Sequence, residues 1–136
     1  MFIDSSSEIE VKVHYKKVGK TFYAFTESEF KDLKDDEKDG FETLVVKMAE
    51  LTWGMHNELQ ETSVDAGSDG DRKFNYKKFK ENKLVKLIRS WDAKGRDLQP
   101  VPVSRDLILN LAPSIAETIL RAYDEDNILS EEEEKN

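Results

Sequence analysis

The chain has 136 residues, 38% of them apolar, no cysteine, and a formal net charge of -8 at pH 7. That length supports one domain with a modest core rather than a large buried active site. The acidic balance argues against nucleic-acid and anionic-membrane surfaces, which need Lys and Arg to neutralise phosphate, and favours basic or apolar protein partners.

Lack of cysteine removes disulfides, thiolate nucleophiles and sulfur-ligated zinc, a usage consistent with a reducing cytoplasm. No apolar run reaches transmembrane length, and the opening MFIDSSSE has no basic and apolar leader, so neither a membrane span nor a signal peptide is expected. In chain order, Ile9, Val11, Val13 and Tyr15 alternate with Glu8, Glu10, Lys12 and His14, the two-residue period of a half-buried strand. A turn at Val18, Gly19 and Lys20 returns the chain through Thr21 to Phe25, so residues 8–25 are expected to form a hairpin. A lone hairpin is marginal in water, so its apolar face needs helices or another copy of the chain.

Residues 26–62 are expected to be helical. Thr26 and Glu29 have capping-box spacing, and the charged run Lys34 to Asp39 ends at Gly40, a break. Phe41, Leu44, Val45, Met48, Leu51, Thr52, Met55 and Leu59 then follow the three-and-four spacing of one helix face, leaving Val46 and Trp53 off the stripe for a second contact surface. Residues 63–74 are expected to be a flexible loop within the Gly-, Ser- and Asp-rich stretch TSVDAGSDGD. A calcium loop built on Gly70 fails there. Asp65 and Asp69 fit, but Gly67 stands at a ligand position and Tyr76 where the bidentate Glu is needed.

Residues 75–127 are expected to be helices joined by a Pro-rich connector. The first runs from Asn75 through Trp91 with Tyr76, Phe79, Leu84, Leu87, Ile88 and Trp91 near one stripe. Its other side, with Arg72 and Lys73 before it, carries Lys77, Lys78, Lys80, Lys83, Lys86 and Arg89, read as a solvated face pairing with the chain's own acidic helices or with an acidic partner rather than as a nucleic-acid face. Pro100 and Pro102 hold Gln99 to Val103 extended, and Ser104 caps a short helix with Leu107 and Leu111 inward. Pro113 opens a final helix with Ile115, Ala116, Ile119, Leu120 and Tyr123 on its stripe. The single domain thus covers residues 1–129, and 130–136, with Glu131 to Glu134 in succession, is expected to be a disordered acidic tail.

The stretch WDAKGRDLQPVPVSRDLILNLAP, with amphipathic patterns on both sides, resembles the C-terminal half of small tail assembly chaperones of long-tailed bacteriophages. The residues that carry the likeness are Trp91 and Asp92 at the end of a helix, the turn at Gly95, the Pro-Val-Pro-Val-Ser run, Asp106, and Leu-Ala-Pro opening the last helix; it covers Leu84 to Tyr123. The resemblance implies a protein that binds the tape measure protein and helps recruit tail tube subunits in the host cytoplasm. It also implies a longer form made by ribosomal frameshifting.

No catalytic constellation emerges: His14 sits on the polar strand face, His56 lies off its helix stripe, and no phosphate loop or nucleophile elbow is present. The expected fold is α+β and mostly helical, an N-terminal β-hairpin packed on a bundle of about four to five helices with a flexible acidic tail. The expected function is a non-enzymatic tail assembly chaperone without cofactor or metal, a possible homo-oligomer. Its partner contacts are assigned to Trp53, Met55, Trp91, Val101, Val103, Leu107, Ile108 and Leu111, each of which competes with ordinary core. The alternative is a virion component of the tail or neck that self-assembles, and a weaker third reading is a small regulator binding nucleic acid through the basic helix.

Overall fold

The computed structural model describes the backbone of residues 1–135 and the side chains of residues 1–126. Strands β1 (Glu8–Val18) and β2 (Thr21–Thr26) form the expected hairpin. Gly19 and Lys20 are its two-residue loop, and Gly19 takes φ +63°, which suits the first central position of a hairpin turn whose twist matches the strands. Thr26 ends β2 by capping α1 (Glu27–Lys31): its hydroxyl accepts from the Glu29 amide, and the Glu29 carboxylate accepts from the Thr26 amide.

From here the chain departs from the helical bundle expected. After a 3₁₀ turn at Asp35–Lys38, residues Glu42–Ala49 form strand β3, antiparallel to β1, and α2 starts only at Trp53, running to Thr62. Leu44, Val46 and Met48 alternate inward on β3, and Val46, which the helical stripe left aside, is fully buried. The run TLVVKMA satisfies both periods, since Leu44 and Met48 are four apart on a helix and also share a strand face; strand pairing on β1 decides between them.

The loop expected at 63–74 contains a small hairpin of β4 (Val64–Ala66) and β5 (Arg72–Phe74). Helix α3 (Tyr76–Leu87), capped by Asn75, is shorter than expected, because Ile88–Trp91 leave it as strand β6 on the outer side of β3. Trp91 therefore ends a strand, not a helix. The register slips between Lys47 and Met48, a bulge where β6 joins. Helices α4 (Arg105–Leu109), capped by Ser104, and α5 (Pro113–Lys135) complete the chain order. Of residues 130–136, expected to be a disordered acidic tail, the backbone through Lys135 continues α5 as helix, and Asn136 lies outside the described residues.

The protein is thus an antiparallel sheet of order β2-β1-β3-β6 with helices on it. Val11 and Val13 of β1, Leu44, Val46 and Met48 of β3, and Ile88 of β6 meet Leu84 and Leu87 of α3, Ile108 of α4, and Ile115, Ile119, Leu120 and Tyr123 of α5 in one core. Each such side chain contributes roughly 1.5–3 kcal/mol on burial, which is how a sheet whose hairpin alone would be marginal is stabilised. The opposite face is polar along Glu10, Lys12 and Lys47, but one corner is covered. His14 there is only 8% exposed, stacked on Phe30 of α1 with ring centroids 4.0 Å apart, and Phe41 packs edge-on to Phe30. Gly40 lies under the Lys16 side chain, where an added Cβ would approach Lys16 Cε to 3.2 Å, and its φ of +82° favours glycine.

Candidate partner-binding site

The residues assigned to partner contacts are not brought together on one surface. Ile108 is core, and Met55, Trp91, Val103 and Leu111 are half-buried against it. Trp53 is 82% exposed on the first turn of α2, which packs on α3. Val101 and Leu107 are half-buried. Trp91 instead organises the connector: its indole Nε1 donates to the Val101 carbonyl at 2.6 Å, while the Val101 amide returns to the Ala93 carbonyl at 2.9 Å. Lys94 and Pro100 bridge antiparallel, so the Pro-rich segment folds back on the end of β6 rather than spanning between helices.

The basic row of α3 is answered within the molecule. Lys80 pairs with Glu117 at 2.6 Å, Lys83 with Asp124 at 3.0 Å and Lys86 with Glu58 at 2.7 Å. Lys78 faces Asp65 at 3.6 Å, and Arg89, just beyond the helix on β6, donates to the Ser5 carbonyl at 2.5 Å. The interleaved aromatics stack among themselves, Tyr76 on Phe79 and Phe79 near Phe74. A shallow groove of about 370 Å³ lies between α3 and α5, lined by Tyr76, Phe79, Lys80, Lys83 and Glu117. The cations that a nucleic acid would use are largely committed to the chain's own carboxylates.

A larger groove, about 800 Å³, opens at the sheet edge between the start of α1 and α5. Its floor is the first half of β1. That strand has 11 residues and β2 has 6, so β2 pairs only Val13 to Val18 and leaves Glu8 to Lys12 with β3 on one side alone. Backbone polarity follows from two observations. The Val45 carbonyl and amide both bond to Asp92 beside β6, so Leu44 and Val46 face β1, and their partners Val13 and Val11 face back. The two-residue turn makes Val18 and Thr21 a hydrogen-bonded pair, which puts the even-numbered residues of β1 on the β2 side. The amides and carbonyls of Glu10 and Lys12 therefore point to the β2 side; the Lys12 carbonyl meets the Glu27 amide where Val13 pairs with Thr26, and the Glu10 groups and the Lys12 amide face the groove.

Around that floor stand Thr26, Glu27, Ser28 and Lys31 of the β2–α1 corner and Ala122, Glu125 and Asp126 of α5. Glu27 accepts from His14 Nε2 at 2.8 Å, and this hydrogen bond, ahead of the nearby lysines, holds its carboxyl below the usual range. Burial, with the charge of Glu125 second, raises the Asp126 carboxyl. Glu125 accepts from the Ser28 hydroxyl at 2.9 Å and ties the two walls. Arg121 donates from Nε and from one terminal nitrogen to the two oxygens of Glu29, each at 2.9 Å, and is the firmest bond between α1 and α5.

His14, read from sequence as a surface residue, has both ring nitrogens engaged, the second by Thr43 Oγ1 at 3.0 Å; His56 bonds Gln60 within its helix. Among the described residues no group of three His, Cys, Asp or Glu is placed to hold a metal ion, and no helix is long and apolar enough to cross a membrane. No protein-family model matches the chain, and neither a curated protein nor a solved structure matches it.

Proposed function

We propose that this chain is a partner-binding protein that acts as a tail assembly chaperone, holding the tape measure protein soluble and presenting it to tail tube subunits. The phage assignment rests on the resemblance over Leu84 to Tyr123, in which Trp91 now stands at the end of a strand. The observation that carries the binding reading is the groove beside β1, where unpaired main-chain donors and acceptors lie open in a walled cleft. A strand edge left open is a liability unless it is used or blunted, and the neighbouring charges Glu10 and Lys12 blunt it against indiscriminate pairing. The net charge of -8 would keep a chaperone-client complex dispersed while the client's apolar stripes are covered.

The test is co-expression with the tape measure protein encoded beside this chain, with a tagged pull-down and a solubility comparison against tape measure alone. A soluble complex, with the chain absent from finished particles, is the expected outcome. Absence of a complex, with the chain retained at fixed stoichiometry in particles, would replace this reading with that of a structural tail or neck subunit.

A further inference from the structure

We infer that the groove beside β1 takes an extended, cationic peptide segment of a protein partner, which adds to the sheet as a strand along Glu8 to Lys12 in line with β2. The inference deepens the partner-binding reading above and rests on it. Main-chain pairing supplies the attachment. The Glu10 amide and carbonyl and the Lys12 amide offer two donors and one acceptor to an added strand, and Thr26, whose pairing with Val13 commits the Lys12 carbonyl to the Glu27 amide, marks the upper end of the slot.

Charge selects the occupant. Glu10, Glu27, Glu125 and Asp126 rim the groove against Lys12 and Lys31, an excess of carboxylate. An inserted residue opposite Val11 shares its face of the sheet and so points toward α5, where it meets Ala122 with Glu125 beyond it. A Lys or Arg fits that position, laying its apolar stem along Ala122 and its charge at Glu125. The upward shift of the Asp126 carboxyl, caused by burial and then by Glu125, agrees with a site where added positive charge is welcome.

A second copy of the chain fits less well. The symmetric register centred on Val11 would pair Glu10 of each copy favourably with Lys12 of the other, so the obstacle is steric rather than electrostatic. That register would place Ile9 of one copy opposite Val13, the slot that Thr26 already fills. A slender extended segment meets no such conflict.

The probe is a synthetic octapeptide of alternating Lys and Thr, compared with its Glu-Thr counterpart and with a Lys-Thr peptide N-methylated at alternate residues. Titration is followed through the backbone amide resonances of the full chain. The expected result is that the Lys-Thr peptide binds and shifts and protects the Glu10 and Lys12 amides, while the other two do not. Lys12→Pro removes a donor that faces only the groove and is expected to weaken binding about tenfold, the scale of one or two backbone hydrogen bonds. Glu125→Lys, which leaves β1 untouched, is expected to weaken it comparably and decides the matter if the proline variant does not fold.

Equal binding of acidic and basic peptides, binding of the methylated peptide, unmoved Glu10 and Lys12 amides, or no binding at all would each overturn the inference. Peptide failure with an intact tape measure pull-down removes the groove as the docking site and spares the chaperone reading. Peptide binding with no tape measure complex removes the chaperone reading and spares the groove.

Discussion

Tyr123 on α5 and Ala49 at the end of β3 are joined by a buried hydrogen bond, the phenol donating to the Ala49 carbonyl at 2.9 Å. The same oxygen accepts from the Leu51 amide at 2.8 Å, so one side chain serves two main-chain groups where β3 leaves the sheet for α2. Both would otherwise lack a partner at the rim of the core. Tyr123→Phe keeps the ring and deletes these bonds, and is expected to cost roughly 1–3 kcal/mol. A lowered urea midpoint with unchanged slope is the readout; a shift below about 0.5 kcal/mol would show that the two groups are served in some other way.

The Glu29–Arg121 fork makes stability depend on acid. The Arg121 hydrogen bond, chiefly, holds the Glu29 carboxyl below its usual range, with a part from the Thr26 amide. A depressed carboxylate contributes stability above the unfolded-state pKa of about 4.3 and loses it as pH falls through the lower folded value. Wild type and Arg121→Gln should therefore differ in urea midpoint at neutral pH and converge in strong acid. Both side chains are more than a third exposed, so the gap is small, within about 1 kcal/mol. A gap that widened on acidification would contradict this linkage.

Trp91→Phe deletes the indole donor that holds the Val101 carbonyl. The connector should open locally while the fold survives. Trypsin is expected to cut sooner after Lys94 and Arg96, with a global loss of about 1 kcal/mol. Unchanged digestion would mean that the bridge between Lys94 and Pro100 holds the segment without Trp91.

Val46 and Trp53 were equivalent on the helical stripe, both off it, and the sheet separates them. Val46 is fully buried between β1 and β6, whereas Trp53 is 82% exposed. Val46→Asp should abolish cooperative unfolding because it buries an unpaired charge. Trp53→Ser should change stability by less than about 0.5 kcal/mol. Equal effects would return this stretch to a helix.

What the sequence makes legible is what local chemistry decides. The alternation from Ile9 to Tyr15, the Gly19 turn, the caps at Thr26 and Ser104 and the start at Pro113 need no distant partner, and each stands where expected. Strands β3 and β6 depend on each other. Ile88 and Trp91 continue the spacing of α3 with no Gly or Pro to stop it, and only pairing with Val46 to Met48 pulls them out of the helix. Of the residues expected at a partner surface, Ile108 is core and Trp53 is exposed, because a helical bundle would have set them on different neighbours. The open edge of β1 was within reach: a turn at Gly19 and a cap at Thr26 leave β2 too short to cover Glu8 to Lys12.

The groove has one wall from the β2–α1 corner and another from α5, about 90 residues apart in sequence by the Glu29–Arg121 bond. During synthesis every strand of the sheet emerges before α5, so the sheet exists for a time without its helical cover. In that interval the inward faces of Val11, Val13, Val46 and Met48 are bare, and the edge that later becomes a selective slot is only a sticky border. The order of translation thus gives a newborn chain the same exposure that it is proposed to relieve in its client.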